Sequence, residues 1–174
     1  MRFVRSEMNI LGIDLSSRKL ALFVIDAKTG KSVMCSTVEA PKKMKPRPEV
    51  LKYLHDSFSS DLRVGFRGGD FTVFIEHPLV GRGGAHATIV QAQVQGVVMS
   101  TAIQFGALGV YEVNVQSWKK AVVGHGGADK DTVKSWLIDH HPALAELAGD
   151  DQDLVDAACV AIYGRDVVER GSRL

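Results

Sequence analysis

The chain has 174 residues, 45% hydrophobic and 24% charged, with a formal net charge of +1. That describes one soluble globular domain with a real core, whose anionic partners must be met by local basic patches. Two cysteines, Cys35 and Cys159, form neither a disulfide framework nor a metal spacing, which suits a reducing compartment. The longest uncharged stretch, Gly83 to Tyr111, is interrupted by Gln91, Gln93, Gln95 and Gln104, which argues against a membrane span. Met1 to Met8 carries two arginines without a following apolar stretch, so no signal peptide is expected. Residues 1–7 read as an ill-ordered extension, and residues 8–174 as a single domain.

In chain order, Asn9-Ile10-Leu11-Gly12-Ile13-Asp14 reads as a buried strand that ends in a carboxylate. Leu20 to Asp26 is a second strand, Lys28 to Lys31 a turn with Gly30, and Ser32 to Val38 a third strand. Short connections make these three an antiparallel meander. Ala40 to Pro48 is a basic, proline-punctuated loop, Glu49 to Ser59 a helix, Arg63 to Asp70 a polar turn, and Phe71 to Glu76 a strand that again ends in an acid. His77 to Ala85 is a glycine-rich loop, His86 to Phe105 a long helix without formal charge, and Gly109 to Val115 a fifth strand. Helices follow at Gln116 to Val122, Asp129 to His140 and Asp150 to Arg165.

A meander followed by alternating strands and helices predicts an α/β fold. Its sheet is five-stranded and mixed, three strands antiparallel and then two parallel, with helices on both faces. If the first and fourth strands are parallel neighbours, Asp14 and Glu76 emerge at the same sheet edge. Asp150, Asp153 and Asp156 recur at three-residue spacing on the last helix. Helix-terminus electrostatics explain Asp150, Asp151 and adequately Asp153, but not Asp156, which lies within an apolar run from Leu154 to Ile162. Asp14, Glu76, Asp153 and Asp156 thus converge as a carboxylate set without His or Cys ligands. Such a set favours the hard cations Mg²⁺ or Mn²⁺. Two such ions about 3.5–4 Å apart serve phosphodiester cleavage, with Lys119, Lys120 and Lys130 as the candidates to steady the scissile phosphate.

Five motifs occur in order: Gly12-Ile13-Asp14, the strand-ending Glu76, Gln93-Val94-Gln95-Gly96, the stretch from Lys119 through Val122-Val123-Gly124 to Lys130, and Asp153-Leu154-Val155-Asp156-Ala157-Ala158. Together, from Met8 to about Tyr163, they resemble the RuvC family of Holliday-junction resolvases in the ribonuclease H-like superfamily. The resemblance implies catalytic, metal-holding acids at Asp14, Glu76, Asp153 and Asp156. It puts the family's lysine before the V-V-G turn at Lys119 and its scissile-phosphate lysine at Lys130. It further implies a homodimer that nicks branched DNA, four-way junctions above all, symmetrically with two Mg²⁺ or Mn²⁺ ions per site. The location is then the bacterial cytoplasm, for a bacterial or a phage protein, with branch-migration or phage packaging machinery as candidate partners. Leu15-Ser16-Ser17 departs from the family's Pro-Gly-Ser, and Leu79 stands where an aromatic wedge is common. Forks and flaps therefore join four-way junctions as expected substrates.

Arg18, Lys42, Lys43, Lys45, Arg47, Arg82 and Lys120, with Leu79, are the expected DNA contacts, against the commoner alternative of a solvated surface. The uncharged helix carries Ala92, Gly96 and Ser100 in line, an expected dimer interface. Two alternatives stand beside the junction endonuclease: a ribonuclease H-like nuclease acting on RNA or RNA–DNA hybrids, and a non-catalytic nucleic-acid-binding domain of the same fold.

Overall fold

The computed structural model describes residues 8–45, 47–65, 69–77 and 84–171. The expected extension at residues 1–7 and two expected DNA contacts, Leu79 and Arg82, lie outside the described residues. The first three strands, β1 (Met8–Leu15), β2 (Lys19–Asp26) and β3 (Ser32–Glu39), form the expected antiparallel meander. The turn between β2 and β3 uses Gly30 at φ 68°, a conformation that favours glycine, and Asp26 accepts a hydrogen bond from the Thr29 backbone N–H. Helix α1 (Arg47–Gly65) leads into β4 (Asp70–Glu76), which pairs parallel with β1. Helix α2 (Gly84–Gln104) leads into β5 (Gly109–Val113), parallel to β4. The sheet order is β3-β2-β1-β4-β5, the predicted five-stranded mixed sheet.

Four helices complete the chain: α3 (Val115–Val122), α4 (Lys130–His140), α5 (Pro142–Ala148) and α6 (Gln152–Gly171). Strand alternation sorts the core into two layers. Leu11, Ile13, Leu22, Val24, Val73 and Ile75 pack with buried residues of α1 and α2 on one face. Ile10, Phe23, Ile25 and Phe74 pack with α6 and with Trp118, Val133, Leu137 and Leu144 on the other. Asp14 and Glu76 are even-numbered like Ile10 and Phe74, so the same alternation turns both acids toward the α6 face.

Helix α6 comes unusually close to that face. A Cβ placed on Gly12 would stand 2.2 Å from the Ala157 carbonyl oxygen and 2.4 Å from the Ala161 nitrogen, both backbone atoms. The absent side chain at Gly12 and the small ones at Ala157, Ala158 and Ala161, all buried, let helix and strand backbones touch. Their contact fixes the height of the first turns of α6 above the end of β1.

Several boundaries differ from the sequence reading. Strand β5 stops at Val113, because Asn114 caps α3 by accepting from the Gln116 and Ser117 backbone N–H groups. Helix α6 begins at Gln152 rather than Asp150, because Asp151 accepts from the Asp153 backbone N–H at 3.0 Å and acts as the cap. It also runs on to Gly171. Helix α1 runs six residues beyond Ser59, to Gly65. Helix α5 was not anticipated, since seven residues opened by Pro142 are too few to show a helical period. Among the described residues no helix is long and apolar enough to cross a membrane.

Candidate active site

The site is assembled by three elements. The parallel register pairs Ile13 with Ile75, so the next residues, Asp14 and Glu76, leave neighbouring strands at the same end. Helix α6, seated on Gly12 through Ala157 and Ala161, presents its N-terminal turns with Asp153 and Asp156 to that end. Asp14, Glu76 and Asp156 each feel the charge of Asp153. Burial drives the Asp14 carboxyl well above its usual range, and the charges of Glu76, Asp156 and Asp153 push it further up. Burial also raises Glu76 to about 7 although Trp118 and Lys119 pull it down, with Asp156 and Asp153 adding to the rise. Burial raises Asp156 in turn, against the pull of Gln152, Lys119 and Lys130.

Glu76 has a partner that sequence reasoning missed. Trp118 is fully buried on α3, and its indole Nε1–H donates to Glu76 Oε2 at 2.9 Å. A tryptophan next to Lys119 in an amphipathic helix reads as core. Only the fold reveals that its polar edge points at the acid. Lys119 reaches the Ala128 carbonyl with Nζ at 2.8 Å, so it staples α3 to the glycine-rich turn before α4. Asp129 caps α4 by accepting from the Thr132 N–H at 2.8 Å, which places Lys130 at the first position of the helix. Both ammonium groups pull on the Asp156 carboxyl, so both act on the acidic site.

Lys19 and Asp151 were also missed. Lys19, at the start of β2, sets its Nζ 2.7 Å from Asp153 Oδ2 and 3.0 Å from Asp151 Oδ2. No spacing in the sequence links positions 19 and 153; the β1–β2 hairpin and the docking of α6 bring them together. Asp150, by contrast, is exposed outside α6 and pairs with Lys134 at 2.7 Å.

The expected DNA contacts fall into two kinds. Arg18 donates to the carbonyl oxygens of Pro41, Met44 and Ala40, and Arg47 donates to the Ser17 and Val90 carbonyls at 2.6 and 2.7 Å. Both guanidinium groups bind the chain's own backbone. They anchor the basic loop beside the β1–β2 turn that directly follows Asp14. Lys42, Lys43 and Lys45 are exposed on that loop, and Lys120 is exposed on α3. The expected interface residues Ala92, Gly96 and Ser100 are exposed on α2, and a Cβ at Gly96 would meet only open space. The buried residues of α2 are Val94, Gln95, Val98, Thr101 and Ala102. Ile89 and Ile103 remain 57% and 63% exposed.

The donor set suits a divalent cation by charge and chemistry: four carboxylates, three of them pushed toward the neutral acid by burial first and by one another's charge second. Among the described residues no three His, Cys, Asp or Glu side chains already enclose a common cation position. Asp153 is drawn aside to Lys19.

Residues 10–163 match the family described as crossover junction endodeoxyribonuclease RuvC. A RuvC of Rhodopseudomonas palustris (strain TIE-1) is 30% identical over 169 residues, covering 96% of this chain and 94% of that relative. One of Cereibacter sphaeroides (strain ATCC 17029 / ATH 2.4.9) is 31% identical over 168 residues, covering 96% and 95%. Thermus thermophilus RuvC has the same fold, with a TM-score of 0.76 at 22% identity over 94% of this chain and 97% of that one. Its complex with a Holliday junction substrate gives 0.74 at 23% identity over 95% and 97%. With the four acids of its sheet edge set in that fold, and its sequence matched from Ile10 to Tyr163, the chain belongs to the RuvC family of crossover junction endodeoxyribonucleases.

Proposed function

We propose that this protein is a structure-selective DNA endonuclease that resolves Holliday junctions, and cuts forks or flaps less strictly, by paired phosphodiester hydrolysis. The observation that carries this reading is the convergence of Asp14, Glu76, Asp153 and Asp156, from two strands and one helix, on one electrostatically coupled edge of the sheet. These carboxylates would hold two Mg²⁺ or Mn²⁺ ions, which when bound would supply Lewis acidity for activating water and stabilising the leaving oxygen. The chain's own residues do the rest. Trp118 fixes the rotamer of Glu76 through its indole N–H. Lys119 ties the Gly124–Ala128 turn to α3 and so places Lys130, whose ammonium binds the scissile phosphate. The basic loop at Lys42, Lys43 and Lys45, pinned by Arg18 and Arg47, binds a flanking arm through its phosphates.

Two sites related by a two-fold axis suit a two-fold symmetric junction, and α2 supplies the surface for a homodimer. Its exposed Gly96 and Ser100 border a groove with Leu51 and Val97, and Ala92, Ile89 and Ile103 are exposed on the same helix. Action in the bacterial cytoplasm, alongside branch-migration or phage packaging machinery, follows from the substrate.

The test is a panel of end-labelled four-way junction, fork, linear duplex and RNA–DNA hybrid, each with Mg²⁺. Symmetric paired nicks in the junction, with linear duplex left intact, are expected. Preferential cleavage of the hybrid would favour the nuclease acting on RNA instead.

A further inference from the structure

Of the four acids, Asp153 is the one the structure commits elsewhere. Its Oδ2 lies 2.7 Å from Lys19 Nζ, and the same ammonium reaches both oxygens of Asp151, at 3.1 and 3.0 Å. Asp151 is in turn held rigidly. It accepts from the backbone N–H groups of Asp153 and Leu154 as the cap of α6, and from the Thr37 hydroxyl at 3.3 Å across on β3. The lysine is therefore not a loose surface charge that happens to graze an acid. Its side chain is only 22% exposed, and a capped, cross-braced carboxylate holds it beside Asp153. The other three acids have no such ion pair among the described residues.

We infer that Lys19 is a resident counter-cation of the site, competing with a divalent cation for Asp153 while Asp151 anchors its ammonium. This rests on the metal-dependent reading above. An ammonium in contact with a ligand carboxylate lowers the local negative potential and takes up one of its oxygens, so a divalent cation must displace it before Asp153 can bind. Asp151 makes that displacement feasible, because the ammonium keeps a carboxylate when it releases Asp153. Lys19 is thus a positioning residue: it sets where Asp153 rests and how readily the acid turns to metal, without touching the scissile phosphate.

The experiment is a calorimetric titration of Mn²⁺ into the DNA-free protein, followed by the Mn²⁺ dependence of junction cleavage. Lys19→Met removes the ammonium and keeps most of the side-chain volume. It should tighten Mn²⁺ binding about threefold to tenfold, the range of a partly exposed ion pair, and shift the cleavage midpoint to lower Mn²⁺. Lys19→Arg keeps the charge and should bind as the unaltered protein does. The charge-neutral pair Lys19→Met with Asp151→Asn, in which asparagine still caps α6, should also bind more tightly, because the direct hold on Asp153 is gone. Unchanged or weaker binding by Lys19→Met overturns the inference. So does a double variant that reverts to the unaltered affinity, because long-range charge alone would then explain the single change. Failure of the unaltered protein to bind any Mn²⁺ would remove the metal reading itself. That result is distinct from a protein that binds and cleaves but ignores the loss of Lys19.

Discussion

The two faces of the sheet are covered by helices of opposite design. On one face α6 lies against β1 with almost no side chain between them, since Gly12 meets the backbone of Ala157 and Ala161 directly. On the other, α2 turns Val94, Val98, Thr101 and Ala102 inward and leaves Ile89, Ile103 and a row of small residues in the open. Contact on the first face is tight because Gly12 brings no side chain between the backbones, and it holds two acids of α6 at a fixed height over two strand ends. On the second face nothing among the described residues covers the outer side of α2, which fits a helix whose second contact is another molecule. Glycine serves both designs: Gly12 has no room for a side chain, and Gly96 has ample room.

The comparison breaks most severely at the acids. Asp14→Asn or Asp156→Asn should each lower cleavage by a factor of about 1,000 or more, since loss of a metal ligand removes transition-state stabilisation of several kcal/mol. Junction binding, measured by gel shift in Ca²⁺ or chelator, should survive. Near-normal Mg²⁺-dependent nicking by Asp156→Asn would show that Asp156 is not one of the metal-holding acids.

Substitution at the two glycines should give opposite results. Gly12→Ala forces α6 away from β1 and should cost about 1–3 kcal/mol of stability, as overpacking does, with cleavage falling further than stability alone explains. Denaturant unfolding and cleavage under saturating DNA check both halves. A Cβ at Gly96 meets no described atom within 4 Å, so the Gly96→Leu monomer should keep its melting temperature within a few degrees while light scattering reports loss of the dimer. A stable dimer from Gly96→Leu would move the interface off this stripe.

The smallest effect concerns pH in the absence of metal. Glu76 has its folded-state value raised to about 7, above the ordinary carboxylate range of about 4.3. Between those values the folded protein binds more protons than the unfolded chain, so stability present at low pH is lost as the pH rises toward 7. Melting temperature in chelator should therefore fall between about pH 5 and pH 8, and less steeply for Glu76→Gln, which isolates this carboxyl from the histidines. Mg²⁺ should restore stability at the upper end. Identical slopes for the two proteins would mean that Glu76 is not held in the crowded state described.

Much of this was legible without coordinates. Period-two alternation and strand-ending acids at Asp14 and Glu76, with Asp156 stranded in an apolar helix, suffice to bring three carboxyls to one edge, because pleat and parallel register leave few other places for them. The order of short and long connections likewise sets the mixed sheet. Other features were not legible because they depend on contacts between residues far apart in the chain. Trp118 looks like core until its N–H is seen on Glu76, and Arg18 and Arg47 look like phosphate contacts until their guanidinium groups are found on backbone carbonyls. The Lys19–Asp153 pair spans most of the chain and has no local signature. Sequence alone determined which residues are acids at the ends of buried elements, since that is a matter of local pattern. Only the tertiary structure decided which cation each acid meets, because that depends on how closely α6 settles on Gly12 and on the charges this docking brings within reach.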